Sequence, residues 1–199
     1  MLFGLPAMAE TKTLLALGDS LTAGYGLPRE HGFVPQLQAW LQTKGEDVEV
    51  INAGVSGDTT SGGVSRLDWS LTPGVDAMIV NLGGNDLLRG IDPARSRSNL
   101  DKILATAASR NLPVLLVGLR APGNYGPDFK KAFDAMYPDL AAQYGVDLEM
   151  NFFGPLIADG QFTAQTMQPD GLHPSAEGVA LIVAGMGPKV LDLLEKVPD

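Results

Sequence analysis

Residues 13–21 read Thr13-Leu-Leu-Ala-Leu-Gly-Asp-Ser-Leu21, an apolar run that breaks without transition into Gly18-Asp19-Ser20. The run is short and nearly continuous rather than alternating, as expected of a strand covered on both faces. Similar runs recur at Val48–Ile51, Ala77–Leu82 and Pro113–Leu119, with a weaker one at Asp147–Phe152. Between them lie helical patterns at Phe33–Lys44, Thr60–Leu71, Ser96–Arg110, Phe129–Tyr144 and Ala176–Lys196. Strand and helix alternate throughout, which predicts an α/β architecture: a parallel sheet of about five strands with helices on both faces.

The 199 residues suit one domain, read here as 10–199, and no linker or repeat divides them. With 14 Lys+Arg against 23 Asp+Glu the net charge is −9, which argues against a nucleic-acid or anionic-membrane partner. The absence of cysteine excludes disulfides, a thiolate nucleophile and cysteine-ligated metal. No apolar run approaches the ~20 residues of a spanning helix, so integral membrane association is not expected. Residues 1–9 end in Ala7-Met8-Ala9, the small-x-small pattern cut by signal peptidase. They look like the remnant of a signal peptide, which favours a periplasmic or secreted protein over a cytoplasmic one.

Ligands of parallel sheets bind beyond the carboxyl ends of the strands. After the first strand, Ser20 sits on a tight turn ahead of a helix, where its hydroxyl can attack a carbonyl; alternatively Ser20 or Asp19 caps that helix. The second strand runs into Ser56-Gly57-Asp58-Thr59-Thr60, where the Gly57 N–H can approach a ligand and the flanking residues can cap. The third ends in Gly83-Gly84-Asn85-Asp86, and the Asn85 carboxamide offers an uncharged donor suited to a transient alkoxide. An Asn/Gly turn is the plainer reading.

Only two histidines are present, and an imidazole is the usual partner of a serine nucleophile. His31 lies in the polar loop Pro28–Gly32 and reads as solvated. His173 lies in Asp170-Gly-Leu-His-Pro174, where Asp170 is three residues back and can reach Nδ1, leaving Nε2 to face Ser20. A turn followed by a helix start explains the same residues.

The four segments at 18–21, 56–60, 83–86 and 170–174, in this order, resemble the SGNH (GDSL) hydrolase superfamily, and the likeness spans about Leu14 to Pro174. Residues 15–25, 52–58, 82–90 and 120–126 are similar to its bacterial thioesterase I, lysophospholipase and arylesterase branch. The resemblance implies a three-layer flavodoxin-like fold, Ser20 as nucleophile, His173 as base and Asp170 as its orienting partner. It also implies an oxyanion hole of Ser20 N–H, Gly57 N–H and the Asn85 side chain, and members of the branch typically work in the periplasm.

No metal or cofactor is called for; Asp19, Asp58 and Asp86 read as caps and turn residues. Asp19, Arg120, Pro122, Asn124 and Tyr125 are also candidate substrate contacts, the last four on a Pro/Gly-rich segment that forms either a mobile wall or a plain connection. Met150, Phe152, Phe153 and Phe162 can line an apolar groove or belong to the core. The expected partner is a small acyl ester or thioester. Two alternatives stay open, a carbohydrate O-acetylesterase using the same groups and a non-catalytic flavodoxin-like binding protein.

Overall fold

Lys12–Gly18 (β1) is the strand around which a computed structural model of the protein is organised; residues 11–157, 162–163 and 165–198 are described. The reading of residues 1–9 as a signal remnant falls outside them. Strands β1, β2 (Val48–Gly54), β3 (Ala77–Asn81), β4 (Val114–Val117) and β5 (Asp147–Glu149) form one parallel sheet in the order β2-β1-β3-β4-β5. Burial explains the composition: β3 and β4 are buried at every residue, so each position is apolar or, at Asn81, small and polar.

Strand β2 departs from the continuous pattern. It is an edge strand, and Val48, Glu49 and Val50 alternate buried, exposed, buried. Its outer edge is partly closed by a side chain: Gln38 accepts from Val50 N at 2.7 Å and donates to Val48 O at 2.6 Å. This occupies backbone groups that an edge otherwise leaves open.

The helices are α1 (Ser20–Ala23), α2 (Phe33–Thr43), α3 (Thr60–Ser70), α4 (Gly84–Leu88), α5 (Pro93–Ser109), α6 (Pro127–Tyr144) and α7 (Ala176–Leu194). Helix α2 packs with α7, while α3, α5 and α6 form a row, giving a three-layer α/β sandwich. Helix α5 starts one turn earlier than its sequence suggests. Asp92 caps it by accepting from Ala94 N, with Pro93 at the first position, so Ser96 lies inside the helix and is buried. No helix among the described residues is long and apolar enough to cross a membrane.

Strand order reverses between β1 and β3, and the segments leaving the carboxyl ends of β1, β2 and β3 meet there. In sheets of this order, that switch point is where ligands bind.

Candidate active site

Ser20 opens α1 immediately after β1. Asp19 caps this short helix by accepting from Leu21 N at 3.0 Å, which fixes the turn carrying Ser20. Gly18 is small of necessity, because a Cβ there would run into the Thr22 side chain and the Asn81 carbonyl. Ser20 Oγ lies 2.9 Å from His173 Nε2, and His173 Nδ1 lies 2.6 Å from Asp170 Oδ2.

The turn bearing His173 is built locally. Met167 and Pro174 pair as an antiparallel bridge, and Gly171 adopts φ +67° at the tip. Asp170 Oδ1 accepts from the backbone N–H groups of Leu172 and His173 at 2.9 and 3.0 Å, so Oδ2 is presented to the imidazole. The hydrogen bond from His173, followed by these backbone bonds, lowers the Asp170 pKa to about 2. An ionised carboxylate there holds the proton on Nδ1 and leaves the Nε2 lone pair toward Ser20. The ring of Tyr25 lies over the imidazole with centroids 4.7 Å apart.

Gly57 and Asn85 come to the same end of the sheet. Asn85 Nδ2 donates to Asp58 O at 2.9 Å, which orients the carboxamide beside the Gly57 turn. Arg89 donates to Gly57 O at 2.8 Å. Arg66 donates to Asp58 Oδ2, Ala53 O and Gly18 O at 2.6, 2.7 and 2.7 Å, tying the ends of β1 and β2 to this turn. Neither arginine carries a local signal in the sequence that would have singled it out.

The three carboxylates read as caps and turn residues divide into three roles. Asp19 is the cap described above. Asp58 pairs with Arg66 and leaves the capping of α3 to Thr59. Asp86 does not cap its own helix; it is buried and accepts from Thr60 N at the start of α3, Thr60 Oγ1 and Ser96 Oγ at 2.8, 2.6 and 2.8 Å, joining α3, α4 and α5. Asp19 as a substrate contact needs correction. Its side chain is sealed inside, at 2% exposure, against Leu21 N and the Asn85 amide at 3.5 Å. Burial raises its pKa to about 6, opposed by the Leu21 hydrogen bond and by His173. His31 lies exposed in the Arg29–His31 turn.

From His173 a cleft of about 540 Å³ runs outward. Arg120, Pro122, Asn124 and Tyr125 line it together with Leu21, Leu87, Leu119, Phe153, Phe162 and Leu172. The lining is mainly aliphatic and aromatic with few polar groups, the chemistry of a site for a largely apolar ligand. Phe152 belongs to the core and Met150 lies outside the cleft.

The model of the GDSL-like lipase/acylhydrolase family matches residues 16–181. The chain is 38% identical over 192 residues to esterase TesA of Pseudomonas aeruginosa, covering 96% of this chain and 93% of that protein. It is 36% identical to the thioesterase 1/protease 1/lysophospholipase L1 of Escherichia coli K12, covering 94% of this chain and 86% of that one. The crystal structure of AlinE4, an SGNH-hydrolase family esterase, superposes with a TM-score of 0.76 at 41% identity, covering 94% of this chain and 99% of AlinE4.

Proposed function

The chain belongs to the GDSL-like lipase/acylhydrolase family of ester-bond hydrolases, and from that premise we propose that it is a serine esterase cleaving acyl and aryl esters and thioesters through an acyl-enzyme. The observation that carries this reading is the unbroken line from Ser20 Oγ through His173 to Asp170, at 2.9 and 2.6 Å.

In this mechanism Ser20 Oγ attacks the carbonyl carbon as its proton passes to His173 Nε2. Asp170 stabilises the imidazolium and keeps it in register. The tetrahedral oxyanion is held by Ser20 N–H, Gly57 N–H and Asn85 Nδ2. Collapse breaks the bond to the alcohol or thiol, which leaves with the proton from His173. Water then gives its proton to the same imidazole, attacks the acyl-serine, and the acid departs as Ser20 recovers its proton.

The predominance of leucine and phenylalanine side chains in the cleft beside His173, with few polar groups among them, favours acyl chains over acetylated sugars, whose hydroxyl-rich rings need many polar partners. The ending Ala7-Met8-Ala9 supports a periplasmic or secreted place of work.

Treatment with a fluorophosphonate followed by peptide mass mapping tests the assignment. The expected result is one phosphonyl group on Ser20 and no labelling of Ser20→Ala, together with turnover of p-nitrophenyl esters and acyl-CoA by the wild type alone. A wild-type protein that turns over these esters yet carries no label on Ser20 overturns it.

A further inference from the structure

Ser20 and His173 approach each other from segments 153 residues apart, and the contact between them is the hydrogen bond whose proton has to move in every cycle. A bond that is repeatedly broken does not hold two segments in register. Something else has to set the distance.

One carboxamide spans the gap. Gln168 Nε2 uses its two hydrogens on Tyr25 O at 2.8 Å and Pro174 O at 3.0 Å. Its backbone N–H donates to His173 O at 2.8 Å. On the other side, Tyr25 N donates to Ser20 O at 3.1 Å. A backbone-anchored circuit therefore runs from Ser20 through Tyr25 to Gln168, whose side chain reaches Pro174 O and whose backbone N–H reaches His173 O. The Tyr25 ring that lies over the imidazole hangs from the same circuit.

The turn at 168–173 closes without that side chain. Gln168 N to His173 O, Gly171 N to Gln168 O and the Met167–Pro174 bridge are backbone contacts. A second glutamine, Gln36, ties Ala176 O to His31 O and so steadies the start of α7, but it does not touch the Ser20 turn. The chain also makes room for the clamp. Gly26 sits at φ +76°, and a Cβ there would collide with Gln168 Oε1.

We propose that Gln168 is a positioning residue that clamps the His173 turn onto the Ser20 turn and thereby sets the distance for proton transfer. The inference rests on Ser20 and His173 acting as nucleophile and base. It predicts a defect in turnover rather than in binding, because Gln168 is not among the residues lining the acyl cleft.

The experiment compares Gln168→Met, which keeps the length but donates nothing, Gln168→Glu, which sets a carboxylate against two carbonyls, and Ser20→Ala. Active sites are titrated with a fluorophosphonate so that kcat is expressed per competent site, and KM is measured with p-nitrophenyl butyrate. Misplacing reacting groups by about 1 Å costs about 100-fold, so kcat per site is expected to fall about 10- to 100-fold in both glutamine variants, with KM within about twofold. A role in stability alone lowers the number of competent sites and leaves turnover per site unchanged; that outcome in either variant overturns the clamp. Inactivity of Ser20→Ala beside unaffected glutamine variants removes the clamp and leaves the serine mechanism standing. Full turnover by Ser20→Ala overturns the mechanism itself, and the clamp with it.

Discussion

Asp170 and His173 form a self-contained unit: one carboxylate oxygen is occupied by two backbone N–H groups of the turn, which leaves the other 2.6 Å from Nδ1. The pair is assembled within four consecutive residues, so its geometry is local and travels with the turn. Its alignment with Ser20 is a separate matter, settled by contacts between distant segments.

Asp170→Asn tests the orienting role. The asparagine Oδ1 can still serve the two backbone donors, which turns its NH₂ toward Nδ1. The ring then accepts at Nδ1 and carries its proton on Nε2, where it cannot take one from Ser20. A loss of about 10⁴-fold in kcat is expected, the size seen when the same change is made in a serine-protease triad. Stopped-flow or steady-state assay of p-nitrophenyl butyrate hydrolysis measures it, and a variant within about tenfold of wild type contradicts the role.

Asn85→Ala removes the donor proposed for the oxyanion hole together with its bond to Asp58 O. Transition-state stabilisation is expected to drop by about 2.7–4 kcal/mol, which is about 10²–10³ in kcat, with circular dichroism unchanged. Wild-type turnover in this variant would take Asn85 out of the oxyanion hole.

Asp19 leaves a signature in the pH dependence of stability. Its folded pKa of about 6 lies above the ordinary 3.8, so between these values the native state holds more protons than the unfolded chain. Stability contributed by this group is therefore present at low pH and lost as pH rises from 3.8 through about 6. The shift corresponds to a total on the order of 3 kcal/mol. Asp170 works in the opposite sense, its contribution being present above 3.8 and lost as pH falls toward about 2. Thermal melts of Asp19→Asn against wild type should run together near pH 4 and separate above pH 6, with the variant more stable. Parallel curves across that window would refute the buried, proton-binding carboxylate.

Leu87→Trp probes the cleft, which Leu87 lines without being buried in the core. The indole occupies space that the proposed function gives to an acyl chain, and each methylene denied burial costs about 0.8 kcal/mol. The ratio of kcat/KM for p-nitrophenyl octanoate to that for p-nitrophenyl acetate is expected to fall about tenfold or more. An unchanged ratio places the acyl chain elsewhere.

Much of the candidate site is legible in the sequence, because each of its parts is a short stretch of consecutive residues. Gly18-Asp-Ser20, Gly83-Gly-Asn85 and Asp170-Gly-Leu-His173 are each short glycine-bearing turns recognisable from consecutive residues, and in the last of them the two side chains also meet within three residues. The runs at β1, β3 and β4 announce buried parallel strands for a similar reason, since burial on both faces leaves few polar positions, Asn81 being the one inside β3. Element ends were less legible. The start of α5 moved because Asp92 and Pro93 outcompete a periodic pattern that begins later.

Other features depend on which segments become neighbours. Strands with equivalent apolar runs do not state their own order, so the β1/β3 reversal that brings Ser20 and Asn85 together is a property of packing. Asp86 as a buried hub, Arg66 as a tie between strand ends and Gln168 as a bridge to Tyr25 each join residues between 8 and 143 positions apart. Asp19 shows the difference at a single residue. The capping bond to Leu21 is written in the local chain, whereas the loss of water that pushes its pKa upward comes from the elements packed around it.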